Sequence, residues 1–167
     1  MPKHLYLLRH AETAAKEARQ DDKARELTQM GIKDCMHLGA WFATQGIHFD
    51  FLVSSSALRA EQSAGLIAES MKLENPRIHT EDVLYEASVR QLLNYVNDLE
   101  NDYNNVLVTG HNPGISYLAE YLTKADIGDM ATSSVAIIRF ELRSWKEVSE
   151  NTGELVKYVT AESVARF

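Results

Sequence analysis

The chain has 167 residues, of which 45% are hydrophobic and 25% are charged, and its formal net charge is −7. These proportions are those of a soluble globular protein and exclude a disordered or fibrous chain. The acidic balance argues against a general surface for nucleic acid or anionic membranes, although a local positive pocket remains compatible with it. We therefore expect one globular domain over residues 1–167 that binds neither nucleic acid nor membrane.

Cys35 is the only cysteine, which excludes a disulfide framework and a clustered cysteine metal site. We expect it to be a small buried hydrophobic residue. No apolar run in the sequence approaches the roughly 18 residues of a membrane span. The first residues also lack the apolar core and small-residue cleavage site of a signal peptide. The sequence thus predicts a protein of the cytoplasm.

Strand-like and helix-like segments alternate along most of the chain. Short apolar runs predict buried strands, and apolar residues spaced by three and four predict helices that pack on them. A polar stretch from Glu12 to Glu26 interrupts this pattern as a loop, with seven charges from Lys16 to Arg25. Together the segments predict an α/β fold, a three-layer α/β/α sandwich with a mainly parallel central sheet. The predicted order is strand 5–8, helix 32–42, strand 49–53, helix 60–71, strand 77–80, helix 89–99, strand 106–108, helix 115–122, strand 135–142 and strand 155–160.

Basic or imidazole side chains follow three of the predicted buried strands. Arg9 and His10 follow the first strand, Arg59 follows the second, and His111 follows the strand at 106–108. The C-terminal ends of parallel strands meet at one edge of a sheet, so we expect these four side chains to converge there. Two guanidinium groups and two imidazoles around one point favour a compact dianion, above all phosphate.

The residues after His111 add a second expectation about this edge. Asn112 followed by Pro113 is typical of a helix start, with Asn112 as the N-cap and Pro113 at the first helical position. This assignment places His111 beside a helix N-terminus, where anions are stabilised.

The motifs, in this order, resemble those of the histidine phosphatase superfamily, the phosphoglycerate-mutase-like group. Arg9-His10-Ala11 is similar to the family's Arg-His-Gly signature, with alanine in place of glycine. The segment from Ser54 to Ala64 resembles its second arginine motif, and Gly110-His111-Asn112-Pro113 matches its second histidine motif. The resemblance runs from about Lys3 to Ser134. The small size of the chain and the segment Leu84-Tyr85-Glu86-Ala87-Ser88 look most like the SixA subgroup, which are protein phosphohistidine phosphatases.

The resemblance implies a role for each of the four converging residues. His10 would be the nucleophile and would form a phosphohistidine intermediate, which divides one displacement into two. Arg9, Arg59 and His111 would hold the phosphoryl oxygens and stabilise the charge that spreads in the transition state, with a protonated His111 fitting best. No metal or cofactor is implied, and the sequence contains no His-x-His or His-Glu-x-x-His spacing.

Three further residues are weaker candidates for the same site. Glu86 occupies the family's Leu-x-Glu position, which implies a general acid for the leaving group and then a base for water. Arg25 and Thr13 are candidates for further substrate contacts.

Three functions remain open at this point. The first is a metal-independent phosphatase that acts on phosphohistidine of a partner protein, because a short chain leaves its pocket accessible to a protein surface. The second is a phosphatase of small phosphomonoesters that uses Glu86 as the acid. The third is a non-catalytic phosphate-binding module, which the presence of all four pocket residues disfavours.

Overall fold

A computed structural model describes residues 1–165 of the chain. Its helices and strands alternate through most of that length, as the hydrophobic periodicity predicts. In chain order the elements are β1 (Lys3–Arg9), α1 (Gln29–Thr44), β2 (Phe51–Ser55), α2 (Leu58–Ser70), β3 (Ile78–Glu81), α3 (Val89–Asn97), β4 (Asn105–Gly110), α4 (Gly114–Thr123), β5 (Ser134–Phe140), β6 (Gly153–Thr160) and the short α5 (Ala161–Val164).

The six strands form one sheet in the order β3-β2-β4-β1-β5-β6. The pairs β1–β4, β2–β4 and β2–β3 are parallel, whereas β5 runs antiparallel to both β1 and β6. The predicted, mainly parallel sheet is therefore confirmed. Because β1, β2 and β4 are parallel neighbours, their C-terminal ends lie side by side at one edge.

Helices cover both faces of the sheet, which confirms the three-layer sandwich. Alternate residues of each central strand point to opposite faces, so Leu5 and Leu7 of β1 pack with α3 and α4. Tyr6 and Leu8 of the same strand pack with α1, α2 and α5 on the other face. The two hydrophobic clusters thus bury both faces of the sheet and leave its C-terminal edge for side chains of the site.

Several predicted features of the first half of the chain are confirmed. The helix predicted at 32–42 lies within α1, and Gly46 after it has a φ of +68°, the left-handed backbone expected of a helix-ending glycine. Cys35 is buried, and burial raises the pKa of its thiol to about 12. None of the helices within residues 1–165 combines the length and apolar character needed to cross a lipid bilayer.

The helix start predicted after His111 is wrong in one respect. Pro113 occupies the cap position of α4, and no side-chain hydrogen bond caps the helix there. The Asn112 side chain has other partners, because its Oδ1 accepts a hydrogen bond from Ser116 Oγ at 2.5 Å and its Nδ2 donates to the Met130 carbonyl at 3.0 Å. His111 still lies beside the start of the helix, since its carbonyl accepts from Ile115 N–H at 3.0 Å.

Candidate active site

The structure brings the four principal candidates together at the C-terminal edge of the sheet. Arg9 ends β1 and His10 follows it, His111 follows β4, and Arg59 is the second residue of α2, just beyond β2. The rings of His10 and His111 have their centroids 5.1 Å apart, and Arg59 Nε is 3.4 Å from His10 Nε2. Arg9 Nη1 donates to the Met130 carbonyl at 2.7 Å, the same carbonyl that accepts from Asn112 beside His111.

His10 is held in one tautomer by its own backbone. Its Nδ1 lies 2.8 Å from the carbonyl oxygen of Ala11, and a carbonyl can only accept, so Nδ1 carries the proton. The other ring nitrogen, Nε2, then has its lone pair available and accepts from Arg59 Nε–H. The ring is buried, and the nitrogen that faces Arg59 carries an unprotonated lone pair.

Two neighbours orient the second imidazole. Ser55, the last residue of β2, lies with its Oγ 2.6 Å from His111 Nε2. The ring of Tyr85 meets the His111 ring edge-on, with the centroids 5.6 Å apart. Among the residues that the structure describes, no hydrogen-bond partner lies near His111 Nδ1 or Arg9 Nε, and both atoms are buried. Both are therefore suited to an oxygen of a bound anion.

Burial and neighbouring cations keep both imidazoles neutral near pH 7. Burial, with the charges of Arg59 and Arg9, lowers the pKa of His10 to about 4. Burial, followed by the effects of His10 and Arg59, lowers the pKa of His111 to about 3. Without an anion, desolvation and the neighbouring arginines oppose a positive charge on His111. The expectation of a protonated His111 concerns the site with phosphate bound and stays a prediction. A dianion bound among them would favour the protonated ring.

Arg59 is anchored by a residue that the sequence did not single out. Its Nη1 donates to the carbonyl of Asp22 at 2.8 Å, and its Nη2 donates to Asp22 Oδ2 at 3.0 Å. The same carboxylate accepts from Tyr85 Oη at 2.5 Å. Asp22 begins a single 3-10 turn, Asp22–Ala24, in the polar stretch from Glu12 to Glu26. That stretch is therefore tied to the pocket.

Arg25 and Thr13 lie together beside this anchor. Arg25 Nη2 donates to Thr13 Oγ1 at 2.7 Å, and Arg25 Nη1 donates to Asp22 Oδ1 at 3.1 Å. The charge of Arg25 also contributes to lowering the pKa of His10. Both residues thus border the pocket, and their contact with a substrate stays a prediction.

Glu86 stands apart from the converged group. Its side chain is exposed, and its backbone is left-handed with a φ of +52°. Within residues 1–165, no hydrogen bond or ion pair joins it to His10 or His111. It directly follows Tyr85, whose ring meets that of His111 edge-on. Its role as an acid stays a prediction.

Sequence reasoning missed four residues that shape the pocket. Ser55 could have been found, because it ends a strand at the same edge as His111. Asp22 precedes Arg25 by three residues, a spacing that predicts a local ion pair but not the contact with Arg59. Tyr85 and Ser63 carried no signal beyond their place inside recognised motifs; Ser63 Oγ accepts from Ala11 N–H at 2.9 Å.

The arrangement has the parts needed to bind and transfer a phosphoryl group. A neutral imidazole presents a nucleophilic nitrogen, and two guanidinium groups with a second imidazole surround it as donors. Within the described residues, no group of three or more His, Cys, Asp or Glu side chains is arranged to hold a metal ion.

Comparison with known sequences identifies the family. The profile of the histidine phosphatase superfamily (branch 1) matches residues 5–92. A 73-residue stretch is 33% identical to Broad-specificity phosphatase YOR283W of Saccharomyces cerevisiae, over 42% of this chain and 32% of the yeast protein. The match thus spans only about a third of that relative. Uncharacterized protein ML1117 of Mycobacterium leprae is 24% identical over 163 residues, which are 90% of this chain and 98% of that protein.

Solved structures share the fold along nearly the whole chain. A protein of Agrobacterium tumefaciens assigned as the phosphohistidine phosphatase SixA superposes with a TM-score of 0.81 at 21% identity, over 96% of this chain and 99% of that one. The protein histidine phosphatase SixA complexed with tungstate gives 0.80 at 22% identity, over 95% and 97%. The alpha-ribazole phosphatase of Shigella flexneri gives 0.69 at 16% identity, over 95% and 96%. At these identities the likeness establishes a SixA-like fold. Because the family profile covers more than half of the sequence, the chain belongs to the histidine phosphatase superfamily (branch 1).

Proposed function

We propose that this protein is a metal-independent phosphatase that transfers the phosphoryl group of its substrate to His10, and that the substrate is phosphohistidine on a partner protein. The observation that supports the transfer most directly is the fixed tautomer of His10, whose Nε2 faces Arg59 at 3.4 Å. The fold supports the protein substrate, because the two SixA structures superpose with TM-scores of 0.81 and 0.80, above the 0.69 of the alpha-ribazole phosphatase.

In the first step, the lone pair of His10 Nε2 forms a bond to phosphorus while the bond from phosphorus to the leaving nitrogen breaks. The leaving imidazole already carries a proton on its other ring nitrogen, so it keeps the bonding electron pair and departs as a neutral ring without an acid. The Ala11 carbonyl holds the Nδ1 proton of His10 and stabilises the positive charge that develops on the attacking ring.

The side chains around the phosphorus lower the activation barrier because they stabilise the negative charge on the phosphoryl oxygens in the transition state. Arg9 and Arg59 would donate to the equatorial oxygens, and His111 would donate from the ring nitrogen that faces them. In the second step, a water oxygen forms a bond to phosphorus and the bond to His10 Nε2 breaks. One water proton stays on the phosphate and the other passes to the solvent, and His10 is released as the neutral Nδ1–H ring together with inorganic phosphate.

A test of the transfer step compares wild type with His10→Ala, in the presence of a chelator, on a phosphohistidine-bearing protein and on p-nitrophenyl phosphate. We expect His10→Ala to lose at least about a thousandfold in kcat, since the nucleophile is removed. Wild type should also form a phosphorylated species that is labile in acid and stable in alkali, and mass spectrometry should locate it at His10.

The matched control is His48→Ala, which removes an exposed imidazole outside the pocket and should leave both rates unchanged. Activity that survives in His10→Ala, or that the chelator abolishes, contradicts the proposal.

Glu86 supports a second candidate, a phosphatase of small phosphomonoesters. An ester oxygen leaves poorly without a proton, whereas an imidazole is a better leaving group, so only the ester needs a general acid. We expect Glu86→Gln to lower kcat on p-nitrophenyl phosphate and on alkyl phosphates with a leaving-group dependence, most for the alkyl esters, and to spare phosphohistidine hydrolysis. Equal losses on phosphohistidine and alkyl esters would remove this distinction.

A further inference from the structure

A single residue, Asp22, holds Arg59 of the proposed phosphate site. Both terminal nitrogens of Arg59 are taken by Asp22, one by its carbonyl at 2.8 Å and one by its Oδ2 at 3.0 Å. Arg25 Nη1 and Tyr85 Oη donate to the same carboxylate, at 3.1 and 2.5 Å. These donors come from α2, from the turn that holds Asp22 and from the loop after β3. Three parts of the chain therefore meet on Asp22.

The consequence for Arg59 is a fixed orientation. With its terminal nitrogens directed at Asp22, the guanidinium turns its Nε edge towards His10 Nε2, at 3.4 Å. The Arg59 side chain is only 8% exposed, so few other orientations are open to it. By binding the terminal nitrogens, Asp22 thus determines that Nε is the Arg59 nitrogen that faces the reacting atoms.

The position of the Asp22 carboxylate weakens the binding of a phosphoryl group. A carboxylate beside two arginines subtracts positive charge from the site and repels an incoming phosphoryl group at short range. A site built only for affinity would be stronger without it. The carboxylate therefore has to contribute geometry, or faster product release, to offset the loss in affinity.

We propose that Asp22 is a positioning residue, which holds Arg59 in the orientation needed to stabilise the transition state and weakens the binding of product phosphate by its charge. This inference rests on the proposed function, because it concerns the same phosphoryl transfer. Tyr85 supports the arrangement by holding Asp22 from the opposite side.

The protonation state of Asp22 is consistent with this role. The hydrogen bond from Tyr85, then those from Arg25 and Arg59, hold the pKa of the carboxyl well below its usual range, although burial opposes them. Asp22 is therefore ionised throughout the neutral range and does not supply a proton to the leaving group. It acts through Arg59.

The test uses Asp22→Asn, which keeps the size of the side chain but removes its charge and cannot accept all three donors. We expect kcat on phosphohistidine to fall about tenfold, as Arg59 loses its orientation. The Kd of inorganic phosphate, measured by calorimetry without turnover, should fall about tenfold, as the repulsive charge is removed. A residue that only anchors the surrounding segment would weaken phosphate binding and kcat together.

Two further variants make the result specific. Asp21→Asn removes the same charge one residue away, where the side chain is exposed and, within residues 1–165, accepts only from Lys23 N–H. It should change neither quantity. Tyr85→Phe keeps the Asp22 charge but removes one of its donors, so kcat should fall about threefold with the Kd of phosphate unchanged.

Three outcomes would overturn the proposal: phosphate binding that is unchanged or weaker in Asp22→Asn, an unchanged kcat in that variant, or the same tightening of phosphate in Asp21→Asn. A wild-type protein that binds phosphate but forms no phosphohistidine at His10 would overturn the proposed function instead. The phosphate Kd of the variants is measured independently of that result.

Discussion

At the scale of single residues, the buried Ser63 connects the segment of His10 and Ala11 to the backbone of Arg59. Its hydroxyl accepts from Ala11 N–H at 2.9 Å and donates to the Arg59 carbonyl at 2.7 Å. We expect Ser63→Ala to lower the free energy of unfolding by about 1–3 kcal/mol, because the buried Ala11 N–H loses its acceptor. It should also lower kcat, since the Ala11 carbonyl that sets the His10 tautomer belongs to the same residue. Urea denaturation and steady-state kinetics measure the two effects.

Ser70→Ala is the matched control on the same helix. Its hydroxyl donates to the Met36 carbonyl at 2.6 Å near the surface, where water replaces a lost partner. We expect less than about 1 kcal/mol of destabilisation and an unchanged kcat. If the two substitutions had equal effects on kcat, Ser63 would have no special link to the site.

The residues at strand ends could be predicted from sequence, whereas those that support them could not. Arg9, His10 and His111 follow apolar strands directly, and parallel strands bring such positions to one edge. Asp22 and Tyr85 follow no such rule. They lie 63 residues apart, and only the folded path of two loops brings their side chains together. The neutral state of His111 also required the structure, because burial is a property of the whole pocket.

At the scale of elements, the close contact between α4 and the loop after β3 positions the mouth of the pocket. A Cβ added at Gly114 would lie 2.3 Å from the Ala87 carbonyl oxygen, a backbone atom. Gly114→Ala should therefore displace the segment that holds Tyr85. We expect it to lower the free energy of unfolding by about 1–3 kcal/mol, as overpacking does, and to lower kcat.

The comparison variant for this contact is Gly65→Ala in α2, where an added Cβ would have no heavy atom within 4 Å beyond its own helix and chain neighbours. Alanine favours a helix over glycine, so we expect a gain of about 0.5–1 kcal/mol and an unchanged kcat. Thermal melting of both variants measures the difference. A Gly114→Ala protein as stable and active as wild type would show that the loop moves without consequence.

Periodicity predicted the elements better than their ends. The strand predicted at 49–53 is observed at Phe51–Ser55, because pairing with β4 begins only at Phe51. The predicted strand at 135–142 ends at Phe140, where its pairing with β1 and β6 ends. In both cases the partner strand determines where the strand ends, and that information is absent from a local pattern.

Location in the cytoplasm and a single domain over residues 1–167 stay predictions.

At the scale of the whole molecule, the two buried imidazoles of the site make the free energy of unfolding depend on pH. The unfolded chain binds protons on its histidines near pH 6.5, whereas His10 does so in the folded protein only near pH 4 and His111 only near pH 3. Burial of the two neutral rings therefore does not reduce the free energy of unfolding above pH 6.5. As the pH falls below 6.5, the unfolded chain binds protons that the folded protein does not, and the free energy of unfolding decreases. Below about pH 4, protonation of carboxyls such as Asp22, whose pKa is also lowered, adds a second loss.

We expect the free energy of unfolding to fall by about 2 kcal/mol for each buried imidazole between pH 7 and pH 5, measured by urea denaturation. His10→Gln cannot titrate, so its loss over the same range should be smaller than that of wild type by about that amount. His48→Gln, which removes an exposed imidazole, should behave as wild type. A His10→Gln protein that retained the full pH dependence would contradict the burial of His10 as a neutral ring. The acid sensitivity of the fold and the free lone pair that Nε2 offers for the proposed attack on phosphorus have the same cause, the removal of that ring from water.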